Sequence, residues 1–87
     1  MPKLLEHNGW RFYFYSREGM PLEPAHVHVR KDRSEAKIWL APIVRVAADR
    51  RVDPRTLKML IEIVQQHRDE FEERWYEFFS GTRSRHL

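Results

Sequence analysis

Apolar and polar residues alternate along the first half of the chain and recur with a helical period along the second. From Trp10 to Ser16 the run is Trp-Arg-Phe-Tyr-Phe-Tyr-Ser. In a strand this sends Phe12 and Phe14 to one side and Arg11, Tyr13 and Tyr15 to the other. His7-Asn8-Gly9 precedes it, and Asn-Gly favours a tight hairpin turn, so Lys3 to Glu6 is the expected partner strand. Gly19-Met20-Pro21-Leu22-Glu23-Pro24 breaks regular structure and forms a loop into the next strand, His26 to Lys31. Asp32-Arg33-Ser34 is a turn. Glu35 to Ala41 and Val44 to Ala48 are two further strands, with Pro42 marking an edge, a bend or a bulge between them.

After Val52 the period changes. Asp53 is a good N-cap and Pro54 a good first helical residue, and no Gly or Pro interrupts the chain from there to Phe79. Leu57, Leu60, Ile61, Val64, Phe71, Trp75, Phe78 and Phe79 share one side of a 3.6-residue helix, and Ser80-Gly81 stops it. A helix of about seven turns is more than the sheet needs, so it is expected to overhang or to pack its C-terminal half on another chain. Arg68 falls inside the apolar stripe and needs a partner: a sheet carboxylate or an interface. Glu70, Glu72, Glu73 and Glu77 with Arg74 form a solvated helix surface. The fold expected is α+β, a four- to five-stranded antiparallel sheet packed on one long C-terminal helix. A single domain spans 1–80, and 81–87 is a flexible basic tail.

One helix covers one sheet face. Phe12, Phe14, Val27, Val29, Ile38, Leu40, Val44 and Val46 belong to that face by alternation. The other then displays Arg11, Tyr13, Tyr15, Arg17, His26, His28, Arg30, Lys37, Trp39 and Arg45, with nothing left in the chain to cover it. Exposed aromatics gathered in one patch mark a binding surface.

Charge and composition narrow the partners. The 87 residues carry a net charge of +3 and no cysteine. Disulfides, thiolate metal sites and a cysteine nucleophile are excluded, and a reducing cytoplasm is the expected compartment. The apolar runs are too short for a signal peptide or a membrane span, so no membrane is expected. Residues 1–53 hold ten Lys and Arg against seven Asp and Glu, 54–80 hold four against six, and Arg83 and Arg85 are unopposed. The basic excess on the sheet half suits a polyanion such as RNA.

Three chemistries use the uncovered face. His26 and His28 could be two ligands of a metal, but a catalytic zinc needs about three protein ligands. His7, Glu18 and Glu23 are the candidates for a third, and none is selected by spacing, so neither a metal nor any cofactor is assigned. In the second, His26 and His28 act as general acid and base on an RNA phosphodiester while Arg30, Lys37 or Arg45 holds the phosphate. Two positions along one strand face lie about 7 Å apart, enough to flank a phosphate. In the third, Tyr13, Tyr15 and Trp39 stack on bases while Arg17, Lys37 and Arg45 hold phosphates, without catalysis. A protein partner or a second copy of the chain would use the same aromatic and arginine-rich surface. Whether the protein is an enzyme stays open at this point.

The pattern over nearly the whole chain resembles a group of small bacterial proteins, domain-of-unknown-function family 4160. The resemblance rests on Met1-Pro2, on Gly9 followed by Phe12-Tyr13-Phe14-Tyr15-Ser16, and on Glu18. It continues through Pro24-Ala25-His26-Val27-His28-Val29, Ala36-Lys37-Ile38-Trp39-Leu40, and the Phe71 to Phe79 helix with Trp75. Family members usually place the His-Val-His-Val run directly after the proline, so Ala25 is an insertion here. The resemblance implies a member of a two-gene toxin–antitoxin module, toxin-like and RNA-directed, with a partner protein encoded nearby; the alternative is a non-catalytic interaction module, a homo-oligomer or an antitoxin-like partner binder, using the same face. The same run is also similar to the motif of the histidine-triad nucleotide hydrolases. Arg30 occupies the third histidine's position and the rest of that pattern is missing, which sets that reading aside.

Overall fold

The computed structural model describes residues 3–15 and 23–80. Five strands, β1 (Lys3–His7), β2 (Trp10–Tyr13), β3 (His26–Lys31), β4 (Ser34–Trp39) and β5 (Arg45–Arg50), form one antiparallel sheet in sequential order. Two helices follow, α1 (Pro54–Gln66) and α2 (Arg68–Ser80). The α+β architecture is the one the periodicities predict. The expected loop residues 16–22, Arg17 and Glu18 among them, and the expected tail 81–87 lie outside the described residues.

Turn chemistry sets the hairpins. Asn8 and Gly9 both have positive φ, 49° and 87°, the pairing of signs that a two-residue hairpin loop between right-twisted strands requires. A Cβ on Gly9 would meet only the flexible end of the Lys31 side chain, at 3.1 Å, so the obstacle to a side chain there is the backbone conformation. Gly9→Ala is expected to cost about 1–2 kcal/mol in urea unfolding, the penalty of the left-handed region for an L-residue. An unchanged midpoint would contradict this turn. Asp32, at φ 55°, opens the β3–β4 hairpin.

Alternation holds in the core. Phe12, Phe14, Val27, Val29, Ile38 and Leu40 are buried, as are Leu60, Val64, Phe71 and Trp75 from the helices. The Phe12 and Phe71 rings meet at 6.3 Å, and Phe14 meets Trp75 edge-on at 5.2 Å. Asp53 caps α1 by accepting the Thr56 amide at 2.7 Å, which holds its carboxyl below the ordinary carboxylate range. That contribution is present near neutrality and is lost as pH falls through the lowered value.

The single long helix is not what forms. His67 leaves helical geometry (φ −109°, ψ 12°), and its amide is shared between the Ile63 and Val64 carbonyls at 3.2 and 3.1 Å. No Gly or Pro marks the place. The cause lies in tertiary contacts: Arg68 Nε donates to the Leu40 carbonyl at 2.9 Å, tying the helix junction to the end of β4. Arg68 also donates to the Pro42 carbonyl at 3.5 Å and pairs with Asp69 and Glu72, so its partners are two backbone carbonyls and its own helix, not a sheet carboxylate. The bend returns α2 to the sheet, where Phe71 and Trp75 enter the core and Tyr76 and Phe78 stay at the surface.

Two bulges decide which residues face away from the helices. The β1–β2 register shifts between Lys3 and Leu5, so Lys3 stands beside Tyr13 while Leu5 stands beside Phe12. The β4–β5 register shifts so that Ile38 pairs with Val46 but Lys37 pairs with Ala48. Unbroken alternation from Val46 would turn Asp49 outward with the cations. The extra residue, Ala47, turns Ala48 and Arg50 outward instead.

Candidate functional site

Register places three rows of side chains across the helix-free face. The first is Glu6, Arg11, Arg30, Glu35 and Arg50, the second Lys3, Tyr13, His28, Lys37 and Ala48, and the third His26, Trp39 and Arg45. Of the residues expected there, Arg11, Arg30 and Arg45 are exposed, Tyr15, His28, Lys37 and Trp39 are half-buried, and Tyr13, expected to stack on bases, is buried.

His26 departs from expectation. It is fully buried at 0% exposure, its ring 4.8 Å from Trp75, 5.4 Å from Trp39 and 5.3 Å from His28. Its Nδ1–H donates to the Pro24 carbonyl at 2.9 Å. Trp75 of α2 reaches the end of β3 and packs on one side of the ring, with Trp39 on another. The imidazole expected on the open face is therefore enclosed, while His28 beside it is half-buried.

His28 instead belongs to an aromatic group. The Tyr15 ring lies 4.1 Å away and Tyr13 stacks at 6.0 Å, while the two tyrosine hydroxyls hydrogen-bond at 3.2 Å. The Tyr13 phenol is pushed up to about 12, first by burial and then by the bond to Tyr15, with the nearby Arg30 guanidinium pulling the other way. The folded protein therefore holds this proton more tightly than the unfolded chain, where tyrosine titrates near 10.0. The stabilisation is complete below that value and disappears as pH rises through about 12, so alkali weakens the fold across this window. Ultraviolet titration should find one of the three tyrosines ionising late, and Tyr15→Phe should lower its value. Three superimposed ordinary titrations would contradict the pair.

Two hollows open beside this group. One, of about 280 Å³, is lined by Lys3, Arg11, Tyr13 and Arg30, with no carboxylate among the described residues of its wall. Arg11 and Arg30 stand directly opposite one another, an arrangement of like charges that disfavours the bare sheet. Glu6 binds Lys3 at 2.9 Å on the outer side of this pair, and Glu35 lies on its inner side, 4.0 Å from Arg50. The second hollow, of about 260 Å³, has Tyr13, Tyr15, His28, Glu35, Lys37 and Ala48 in its wall, with Asp49 and Arg50 of β5 at its edge. Ala48 makes the depression, since a methyl group stands where the neighbouring strand positions carry long side chains. Lys37 is steadied by Glu23 at 3.0 Å and by the Trp39 ring at 4.7 Å. A smaller hollow nearby is lined by Arg30, Arg33, Arg50 and Arg51 with Glu35.

Lys3, Glu35, Ala48 and Arg50 were not among the candidates read from the chain. The consecutive small residues Ala47-Ala48 interrupt the alternation of β5 and are the signal that could have pointed to Arg50. Arg17, expected on this face, lies outside the described residues. Among the described residues no three His, Asp or Glu side chains gather in a group able to hold a metal ion. No described helix is long and apolar enough to cross a membrane.

The fold and its hollows define a class: a small α+β protein with a meander sheet, helices on one face and a cationic, aromatic-floored surface on the other. The chain belongs to the family described as Domain of unknown function (DUF4160), whose model matches residues 9–76. No curated protein and no solved structure gave a match.

Proposed function

We propose that the protein binds single-stranded RNA on the helix-free sheet face, as the RNA-directed component of a bacterial two-gene module. The observation that carries the reading is the hollow of Lys3, Arg11, Tyr13 and Arg30, which gathers three cations around a phenol, with no carboxylate among the described residues of its wall. A phosphate relieves the opposition of Arg11 and Arg30 and takes charge-assisted hydrogen bonds from both. Tyr15 and His28, next to it, offer ring surface on which an unpaired base can stack. Bases in a duplex are already stacked and cannot reach that surface.

Cleavage is not part of the proposal, because the buried His26 cannot serve as acid or base beside His28. The two-gene setting comes from the family resemblance. Fluorescence anisotropy with a short RNA, single-stranded and then annealed to its complement, tests the binding. The single strand should bind more tightly, and Tyr15→Ala should weaken it by about 1–3 kcal/mol. Equal binding of both forms, or none, would remove the reading. In cells, growth inhibition by the wild type that Arg30→Glu abolishes would support the toxin-like role.

A second reading, a protein interface, is favoured by Tyr76 and Phe78, which stay 54% and 38% exposed on α2. This surface lies on the helices and not on the sheet face. Light scattering that shows a concentration-dependent dimer, lost in Tyr76→Ala, would favour it.

A further inference from the structure

The two hollows beside Tyr13 adjoin. Tyr13 lines both, and Arg30 in the wall of the first stands directly opposite Glu35 in the wall of the second. One strand spacing, about 4.8 Å, separates those backbones. A phosphate held by Lys3, Arg11 and Arg30 therefore leaves its own nucleotide's base within reach of the Tyr15–His28 side of the second hollow. That hollow, about 260 Å³ and floored by Ala48, has room for one base.

Glu35 gives this hollow a chemical preference. Its side chain is 40% exposed, and its contact with Arg50 is a long 4.0 Å, so the carboxylate keeps acceptor capacity toward a ligand. A carboxylate only accepts hydrogen bonds. Guanine alone among the four RNA bases presents two adjacent donors, N1–H and the 2-amino group, on its pairing edge, and they match the two oxygens of a carboxylate. Uracil presents one donor between two carbonyl oxygens, which a carboxylate repels. Adenine and cytosine each present a single amino donor beside an acceptor nitrogen.

Resting on the RNA-binding reading above, we infer that the Ala48-floored hollow is a guanine subsite. Glu35 reads the base edge, Tyr15 and His28 supply the stacking side, and the Lys3–Arg11–Arg30 hollow takes the attached phosphate. The structure thereby divides the two tasks: the arginines hold any nucleotide, and Glu35 selects among them. A carboxylate on a phosphate-binding face is otherwise an obstacle, since it repels the backbone. Its presence between Arg30 and Arg50 has a use if it meets base donors.

The test compares a uridine hexamer with the same oligomer carrying one central guanosine, by anisotropy, and adds competition by free guanosine and uridine 5′-monophosphates. Wild-type protein should prefer the guanosine oligomer by about tenfold or more, the usual discrimination of a bidentate edge contact. Glu35→Gln should bring that ratio toward one while tightening binding of the uridine oligomer, because a negative charge has left the face. Ala48→Leu should fill the hollow and also remove the preference. Melting curves of both variants confirm folding, as both positions are at the surface.

A preference that survives Glu35→Gln overturns the inference, as does a wild type that binds both oligomers equally. The latter outcome leaves RNA binding itself standing. If no oligomer binds but free guanosine monophosphate does so through Glu35, the guanine subsite holds and the RNA reading fails. If nothing binds, both fall.

Discussion

Trp75→Ala should destabilise the protein by about 3–5 kcal/mol, the range for truncating a large buried aromatic. Against a total of about 5–15 kcal/mol for a domain of ordinary stability, this brings the chain close to unfolding. The melting temperature should fall by about 12 °C or more. The size follows from position: Trp75 meets Phe14 at 5.2 Å, Phe79 at 4.1 Å and His26 at 4.8 Å, and joins α2 to the ends of β2 and β3. The effect has a second part. With the indole gone, the His26 ring loses one wall, so its solvent exchange should rise in the variant even at temperatures where the fold persists. Trp75→Phe, which keeps an aromatic wall, should lose much less. Urea unfolding with a change below about 1 kcal/mol would mean that α2 does not close the core in this way.

Arg30→Gln should leave stability within about 0.5 kcal/mol of wild type, since the side chain is exposed. It should weaken RNA binding by about 1.5–3 kcal/mol, roughly tenfold to over a hundredfold, the value of a charge-assisted hydrogen bond. Salt dependence separates this from a local distortion. For single strands the slope of log K against log salt is about −0.7 per phosphate neutralised, so loss of one contact should make it shallower by about 0.7. The weakening should be uniform across sequences, in contrast with Glu35→Gln, which changes the preference among bases. A weakened affinity with an unchanged slope would indicate that Arg30 does not touch phosphate.

Much of the fold could be read from local rules. Asn8-Gly9 named its hairpin, Asp53-Pro54 named the helix start, and the alternation around Phe12, Val27, Val29 and Ile38 named the buried face. What local rules missed was set by distant contacts. The bend at His67 carries no breaker residue and depends on Arg68 reaching Leu40, which is 28 positions away. Trp75 of α2 packs on His26, so two histidines that alternation sends to one open surface have different surroundings. The β5 bulge works in the same way: with strict alternation Asp49 joins the face, and with one extra residue Arg50 and Ala48 do. The polarity of the face was legible, while its two hollows were not, because they depend on register.

The central claim, that single-stranded RNA occupies the helix-free face, is tested most directly by backbone-amide chemical-shift mapping during titration with a short guanosine-containing RNA. Shifts are expected at Arg11, Tyr13, His28, Arg30, Lys37, Ala48 and Arg50, with the exposed side of α1 and α2 unchanged. Shifts confined to the helices around Tyr76 and Phe78, or a spectrum unaltered by RNA, would contradict it.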